Sequence, residues 1–185
     1  MSTKYKFSDK ESVYFITSTI VDWVDVFTRD VYRDILLESF RFCQKNKGLQ
    51  IHAWVLMPNH FHMICSFGGQ NDPGMVIKNI KSFTAIKIID AIINNDSESR
   101  KNWMLDIFEK NGKTKKSNYR YQFWQHENHP ILLDSDEKYF QRLLYLHENP
   151  VRAGFVAEPE HWLYSSALDY YHNAQKGLLE ISFLD

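Results

Sequence analysis

Only two cysteines, Cys43 and Cys65, occur in the 185 residues. Both sit in apolar stretches, so a disulfide framework is excluded and a reduced, cytoplasmic chain is expected. No run of about 18 apolar residues exists, which argues against a membrane-spanning helix. The opening stretch, MSTKYKFSDKESVYFITSTI, lacks the basic start and apolar centre of a secretion signal. Internal repeats and low-complexity linkers are also missing. The formal net charge is only −1, so the chain as a whole carries no signature of a polyanion binder.

What is present points to a folded chain. Apolar residues make up 44% and aromatics 15%, too many for a disordered chain. The length suits one domain, taken as residues 1–185 with a core over about 13–171. The neutral total hides an uneven distribution. Arg100 to Arg120 holds seven Lys/Arg against two acids, and Tyr121 onward holds four basic against ten acidic residues. A basic segment therefore lies beside an acidic one.

The alternating SVYFITSTI, Ser12 to Ile20, predicts a strand. Helical spacing of Val31, Ile35, Leu36 and Phe40 predicts a helix, capped by Thr28 or Asp30 and stopped by Gly48. LQIHAWVLM and HFHMICSF predict two strands that form a hairpin across the Pro58-Asn59 turn. Asp72-Pro73 opens a second helix. Residues 94–120 are polar and basic and resist assignment, with one apolar piece, WMLDIF. A further strand is expected near YRYQFWQ. DSDEKYFQRLLYLHEN predicts a helix with acids in its first turn, ended by Pro150. The tail is expected to pack on the body and close with a short helix. This order predicts an α+β class: a ferredoxin-like, split βαβ antiparallel sheet with helices mainly on one face.

WVLMPNHFHMI, Trp54 to Ile64, carries the first chemical signal. On a strand, residues i and i+2 share a face, so His60 and His62 stand side by side while Phe61 faces the core. Such a pair can meet one metal ion. By spacing alone, two surface or hydrogen-bonded histidines are the commoner outcome.

The same stretch resembles the signature of the HUH-type Y1 transposases of the insertion-sequence 200/605 kind. Downstream, YLHENPVRAGFV (Tyr145 to Val156) and EHWLYSSALDYY resemble the subgroup of REP-associated tyrosine transposases. The likeness runs from about Val13 to Tyr171 and is weakest in the basic middle. It implies a single-strand DNA endonuclease and strand transferase. His60 and His62 match the paired histidines, Tyr145 the nucleophile and Asn149 the third metal ligand. The metal it implies is Mg2+ or Mn2+, and the partner is single-stranded or hairpin DNA. Insertion-sequence relatives work as dimers and REP-associated relatives as monomers, so a homodimer and a monomer both stay open.

The residues agree with that chemistry. Tyr145 and Asn149 are four apart and share a helix face, although Pro150 biases Asn149 away from helical geometry. A tyrosine oxygen attacking phosphorus leaves a 5′-phosphotyrosine and a free 3′-hydroxyl. A phenol titrates near 10 in water, so the attack needs help, which a Lewis acid on the phosphate supplies. His147, two residues from Tyr145, points elsewhere on a helix and is taken as structural or a DNA contact rather than a ligand. His126 and His129 are taken as loop residues. Tyr164, Tyr170 and Tyr171 are the competing tyrosines, with Tyr164 expected to pack on Trp162.

For DNA, Lys113, Lys115, Lys116 and Arg120 interleave with Tyr119, Tyr121, Phe123 and Trp124, the mix that suits a single strand. A solvated loop has the same composition. Arg152 either touches a phosphate or ties its turn to an acid. Two competing functions are a non-catalytic hairpin-DNA binder, disfavoured by the intact His, Tyr and Asn set, and a metal-dependent hydrolase without a covalent step, disfavoured by the lack of further His or Asp ligands.

Overall fold

The structure is a computed structural model and describes Phe7, Asp9 and residues 12–68, 71–113, 120–126 and 130–184. Strand β1 (Tyr14–Thr19) leads into helix α1 (Asp30–Lys47), then the hairpin β2 (Leu49–Leu56) and β3 (His60–Phe67). Helices α2 (Pro73–Asn94) and α3 (Lys101–Lys113) follow, then the short strand β4 (Ile131–Leu132). The chain ends with α4 (Asp136–His147), α5 (Asn149–Arg152) and α6 (Ala167–His172). The sheet order is β2-β3-β1-β4 with every neighbouring pair antiparallel. This is the expected split βαβ plan: β1 and β2 are parallel, and β3 fills the gap between them.

Local chemistry explains the boundaries. Gly48 ends α1 at a φ of 70°, and a Cβ there would collide with the Gly68 carbonyl oxygen. Asp72 caps α2 by accepting from the Met75 amide at 2.9 Å, with Pro73 in the first turn where its missing N–H is harmless. Ser135 caps α4 through the Lys138 amide. Helix α1 departs from expectation: Arg29 holds the cap position and makes no side-chain cap bond. The Asp30 carboxylate instead takes Arg33 at 2.9 Å and the Tyr164 hydroxyl at 2.9 Å.

Two further expectations are corrected. The strand predicted near YRYQFWQ reduces to one bridge, Trp124 to Ile20, and the fourth strand lies later, at Ile131–Leu132 against Phe15 and Tyr14. Phe123 and Trp124 are both buried, so no in-out alternation exists there to build a strand. Pro150 does not end the preceding helix. Helix α4 stops at His147, and Pro150 sits in the first turn of α5. The stretch WMLDIF, left unassigned from sequence, lies in α3, whose Met104 and Phe108 are buried one turn apart.

The sheet is covered on both faces. Tyr14, Ile16, Phe61, Met63 and Cys65 belong to the larger core with α1 and α2, where Phe61 meets Phe40 edge-on at 5.2 Å. Phe15, Val55, Ile64 and Leu146 form a smaller core on the opposite face, under α4. The register pairs Thr17 with His62 and Thr19 with His60, so both histidines lie on that second face, beside α4.

Candidate active site

His60 and His62 come side by side as the strand period requires, with ring centroids 4.8 Å apart. His62 is only 5% exposed. It stacks on Phe15 at 5.2 Å and meets the Tyr145 ring at 5.3 Å. Tyr145 also touches Phe15 edge-on at 6.1 Å. Central strand β1, central strand β3 and helix α4 thus converge on one place. The Tyr145 side chain is half-buried, and its hydroxyl has no hydrogen-bond partner among the described residues.

The imidazole orientations are set from outside the pair. Asn59 donates its Nδ2 to the Asp25 carboxylate at 2.7 Å. A carboxylate only accepts, so this bond fixes the amide's orientation and leaves Oδ1 facing His60 Nδ1 at 2.7 Å. His60 therefore carries its proton on Nδ1 and presents an unprotonated Nε2. His62 Nδ1 shares a hydrogen bond with Thr17 Oγ1 at 2.7 Å. Burial pushes His60 down to about 4. Burial pushes His62 down further, to about 3, with the His60 and Arg142 charges adding to it. Both rings are neutral at pH 7, the form that binds metals.

The histidines and the tyrosine named from sequence are neighbours in the structure, but the residues that support them were missed. Asn59 was legible only as a turn residue. Its backbone oxygen also accepts from the Ile20 amide at 2.9 Å, so it joins the turn, the segment after β1 and His60. Arg142 was missed as well. It lies three residues before Tyr145 on α4, with its guanidinium carbon 5.3 Å from the Phe15 ring. No carboxylate pairs with it among the described residues. The spacing Arg142-x-x-Tyr145 could have flagged it, since both fall on one helix face.

The other nominated residues fall as follows. Asn149 opens α5, four residues beyond Tyr145 and separated from α4 by Glu148 alone. Arg152 ties its turn to an acid, pairing with Glu148 at 2.6 Å, and its guanidinium lies 5.4 Å from the Tyr145 ring centre. Lys113 and Arg120 both approach Glu109, at 3.1 and 3.7 Å, and are about 70% exposed. Lys115 and Lys116 lie outside the described residues, as do Tyr119 and His129. His147 is buried against the Ser166 hydroxyl at 2.9 Å, a structural role. Among the competing tyrosines, Tyr164 packs on Trp162 and bonds to Asp30, and Tyr170 donates to the His52 carbonyl while contacting Tyr139.

A divalent cation fits this donor set in kind. Two neutral imidazoles stand with their Nδ1 atoms already engaged, and among the described residues no cluster of three or more His, Cys, Asp or Glu offers a rival site. Imidazole with an amide oxygen suits Mn2+ better than an oxygen-only Mg2+ site would.

The antiparallel split βαβ sheet with its flanking helices is an architecture found in a solved transposase structure. The structure aligns with that of a REP-associated tyrosine transposase bound to a REP hairpin, at a TM-score of 0.66 and 18% identity, covering 100% of this chain and 94% of that one. A candidate transposase from Deinococcus radiodurans aligns at a TM-score of 0.44 and 16% identity, over 80% of this chain and 97% of that one. Comparison with curated protein sequences gave no match. The profile of the IS200-like transposases matches residues 20–128, and the chain belongs to that family. The matched span contains His60 and His62 and stops short of Tyr145 and Asn149. Among the described residues no helix is long and apolar enough to cross a membrane.

Proposed function

We propose that this chain, acting over residues 1–185 as one catalytic unit, is a metal-dependent single-strand DNA endonuclease and strand transferase. It cleaves at or near a DNA hairpin and holds one product on Tyr145. The observation that carries the reading is the packing of the Tyr145 ring 5.3 Å from His62, with a hydroxyl that has no partner among the described residues.

In the reaction, Tyr145 Oη attacks phosphorus and the bond to the 3′ oxygen breaks. The phenol gives up its proton, the departing 3′ oxygen takes one, and the 5′-phosphate stays on the tyrosine. The phosphodiester energy is retained in that link, so a second 3′-hydroxyl can reverse the step and join new ends. His60, His62 and the Asn149 amide oxygen would hold Mg2+ or Mn2+. Bound there, the ion supplies Lewis-acid charge to the phosphate. All three donors are neutral, so none of them cancels that charge. Asn59 and Thr17 keep the imidazoles in place, and Asn59 holds His60 in the tautomer that frees Nε2. Arg142 is placed to take a phosphate oxygen, since no acid among the described residues competes for it.

The DNA preference rests on the family and on the hairpin bound by the REP-associated relative. The test is a labelled hairpin with a single-stranded flank, incubated with Mn2+ and run on a denaturing gel. A protein-linked band that disappears in Tyr145→Phe is expected. Binding without any adduct would instead make the chain a hairpin-binding protein, and a free 5′-phosphate without an adduct would make it a hydrolase.

A further inference from the structure

Residues 20–24 leave β1 and cross the β2–β3 turn in an unusual conformation. Asp22 and Trp23 both have positive φ, 50° and 56°. The left-handed region is uncommon for any residue with a side chain and a true outlier for a bulky one. Here two occur in succession, each at a cost in backbone strain. The surroundings enforce them. The Ile20 amide donates to the Asn59 carbonyl at 2.9 Å and the Val21 amide to the Phe123 carbonyl at 2.9 Å. Asn111 on α3 donates to the Asp22 carboxylate at 3.0 Å. The Val24 side chain is buried on the far side of the bend.

The result of this strain is the position of one ring. Trp23 is 58% exposed, and its indole stands edge-to-face with His60 at 5.7 Å. A lone exposed tryptophan is ordinary on a protein surface. A tryptophan held there by a doubly left-handed backbone, against a histidine of the site, is not explained by packing, because the strain leaves the ring uncovered. Strain of this kind collects at ligand-holding positions. A broad, rigid and half-uncovered aromatic face is the surface on which an unpaired nucleobase stacks.

We propose that Trp23 is a stacking platform for one unpaired base next to the scissile phosphate. This rests on the DNA-cleaving reading above. The platform lies beside His60, while Tyr145 and Arg142 approach the pair from the side of His62 and Phe15. A strand running across the histidines would set its phosphate between these groups and a neighbouring base on the indole. The stacking would fix which nucleotide borders the cut, with little discrimination between bases, because every base offers a π face.

The experiment uses the full chain with Tyr145→Phe, which cannot cleave, and hairpin oligonucleotides carrying 2-aminopurine at successive single-stranded positions. One position is expected to show strong quenching on binding. Trp23→Gly removes the ring and relieves the positive φ, so the variant should melt no lower than its parent. It should lose the quench and bind about tenfold or more weakly, the range that one base–aromatic stack commands. Trp23→Phe should recover most of both. Unchanged quenching and affinity in a folded Trp23→Gly protein would overturn the platform, whatever the wild type does to DNA. The separate readout, adduct formation by the chain with Tyr145 intact, decides the cleavage reading: no adduct together with Trp23-dependent quenching removes catalysis and keeps the base site.

Discussion

Replacing Asn59 by leucine tests the tautomer argument at the point where it is most exposed. The substitution deletes two side-chain hydrogen bonds, to Asp25 and to His60, both at 2.7 Å. It leaves the backbone carbonyl that anchors Ile20 untouched. Asp25 is exposed, so water replaces its lost donor at little cost. His60 is half-buried and loses its acceptor for Nδ1–H, which puts the stability loss near 1 kcal/mol. For a chain of this length that lowers Tm by about 2–4 °C. The effect on metal affinity should be much larger in proportion. The ring is free to rotate or to move its proton to Nε2, and loss of such an outer partner typically weakens a metal site about 10- to 100-fold. Titration calorimetry with Mn2+ and the free-ion signal in paramagnetic resonance both measure this. A fall in Tm with Mn2+ affinity within about twofold of the parent would refute the reasoning, since it would show Asn59 to be a turn residue only.

Four other outcomes follow from particular contacts. Tyr145→Phe should abolish the adduct and shift stability by less than about 0.5 kcal/mol by chemical denaturation, because the hydroxyl has no bond among the described residues to lose. His147→Leu should do the reverse, costing about 0.5–1.5 kcal/mol by deleting one bond of the buried Ser166 hydroxyl, which keeps its contacts to the Trp54 backbone, while leaving the adduct's chemistry intact in the folded fraction. Arg142→Gln should slow adduct formation and reduce the slope of log affinity against log salt by about 0.7, the share of one phosphate on a single strand. Glu98 is buried, which acts to raise its carboxyl, but hydrogen bonds from Arg100 and Arg29 outweigh burial and hold it down at about 2. Its contribution, of order 3 kcal/mol, is present above the unfolded value of 4.5 and lost as pH falls toward and through 2. Acid melts of Glu98→Gln should lack that part of the decline.

The sequence made the hairpin and the first two helices legible because each had both a period and a punctuation mark. Gly48 and Pro58-Asn59 bracket β2, and Asp72-Pro73 opens α2. The fourth strand was illegible for a physical reason: two residues cannot display a period of two, and Ile131–Leu132 are held by β1 rather than by their own pattern. The rival segment at Phe123 and Trp124 has the right residue types, but both rings sink into the core, Phe123 against Phe108 at 5.3 Å and Trp124 against Phe61 at 5.7 Å. At the site, the two histidines were readable from strand parity, and Tyr145 came from the likeness of a second motif. The roles of Asn59 and Thr17 were not readable, because they depend on which strand and which ring face them, whereas Arg142 was legible only as a neighbour of Tyr145 on one helix face.

That dependence accounts for the form of the site. An H-x-H pair on an edge strand would have one flank open and nothing to fix its ring nitrogens. Here β3 is interior, with β1 on one side and β2 on the other, so each histidine has a cross-strand neighbour: Thr17 opposite His62 and Thr19 opposite His60. Burial from these neighbours keeps both rings neutral, which prepares them for a cation but also denies them any charge of their own toward DNA. On the proposed reading, the positive charge next to a phosphate has to come from a cation held by the pair and from Arg142, whose guanidinium lies against Phe15 on the face under α4. The same helix carries Tyr145. Any slip of α4 by one residue would turn the tyrosine away from His62 by about 100° and take the arginine with it. The buried His147–Ser166 bond and the Leu146 contact in the smaller core are what resist that slip. Structural residues on α4 therefore serve the chemistry through register, and because Leu146 still anchors the helix in the smaller core, His147→Leu is expected to lower the amount of folded protein and not the rate of adduct formation per folded molecule.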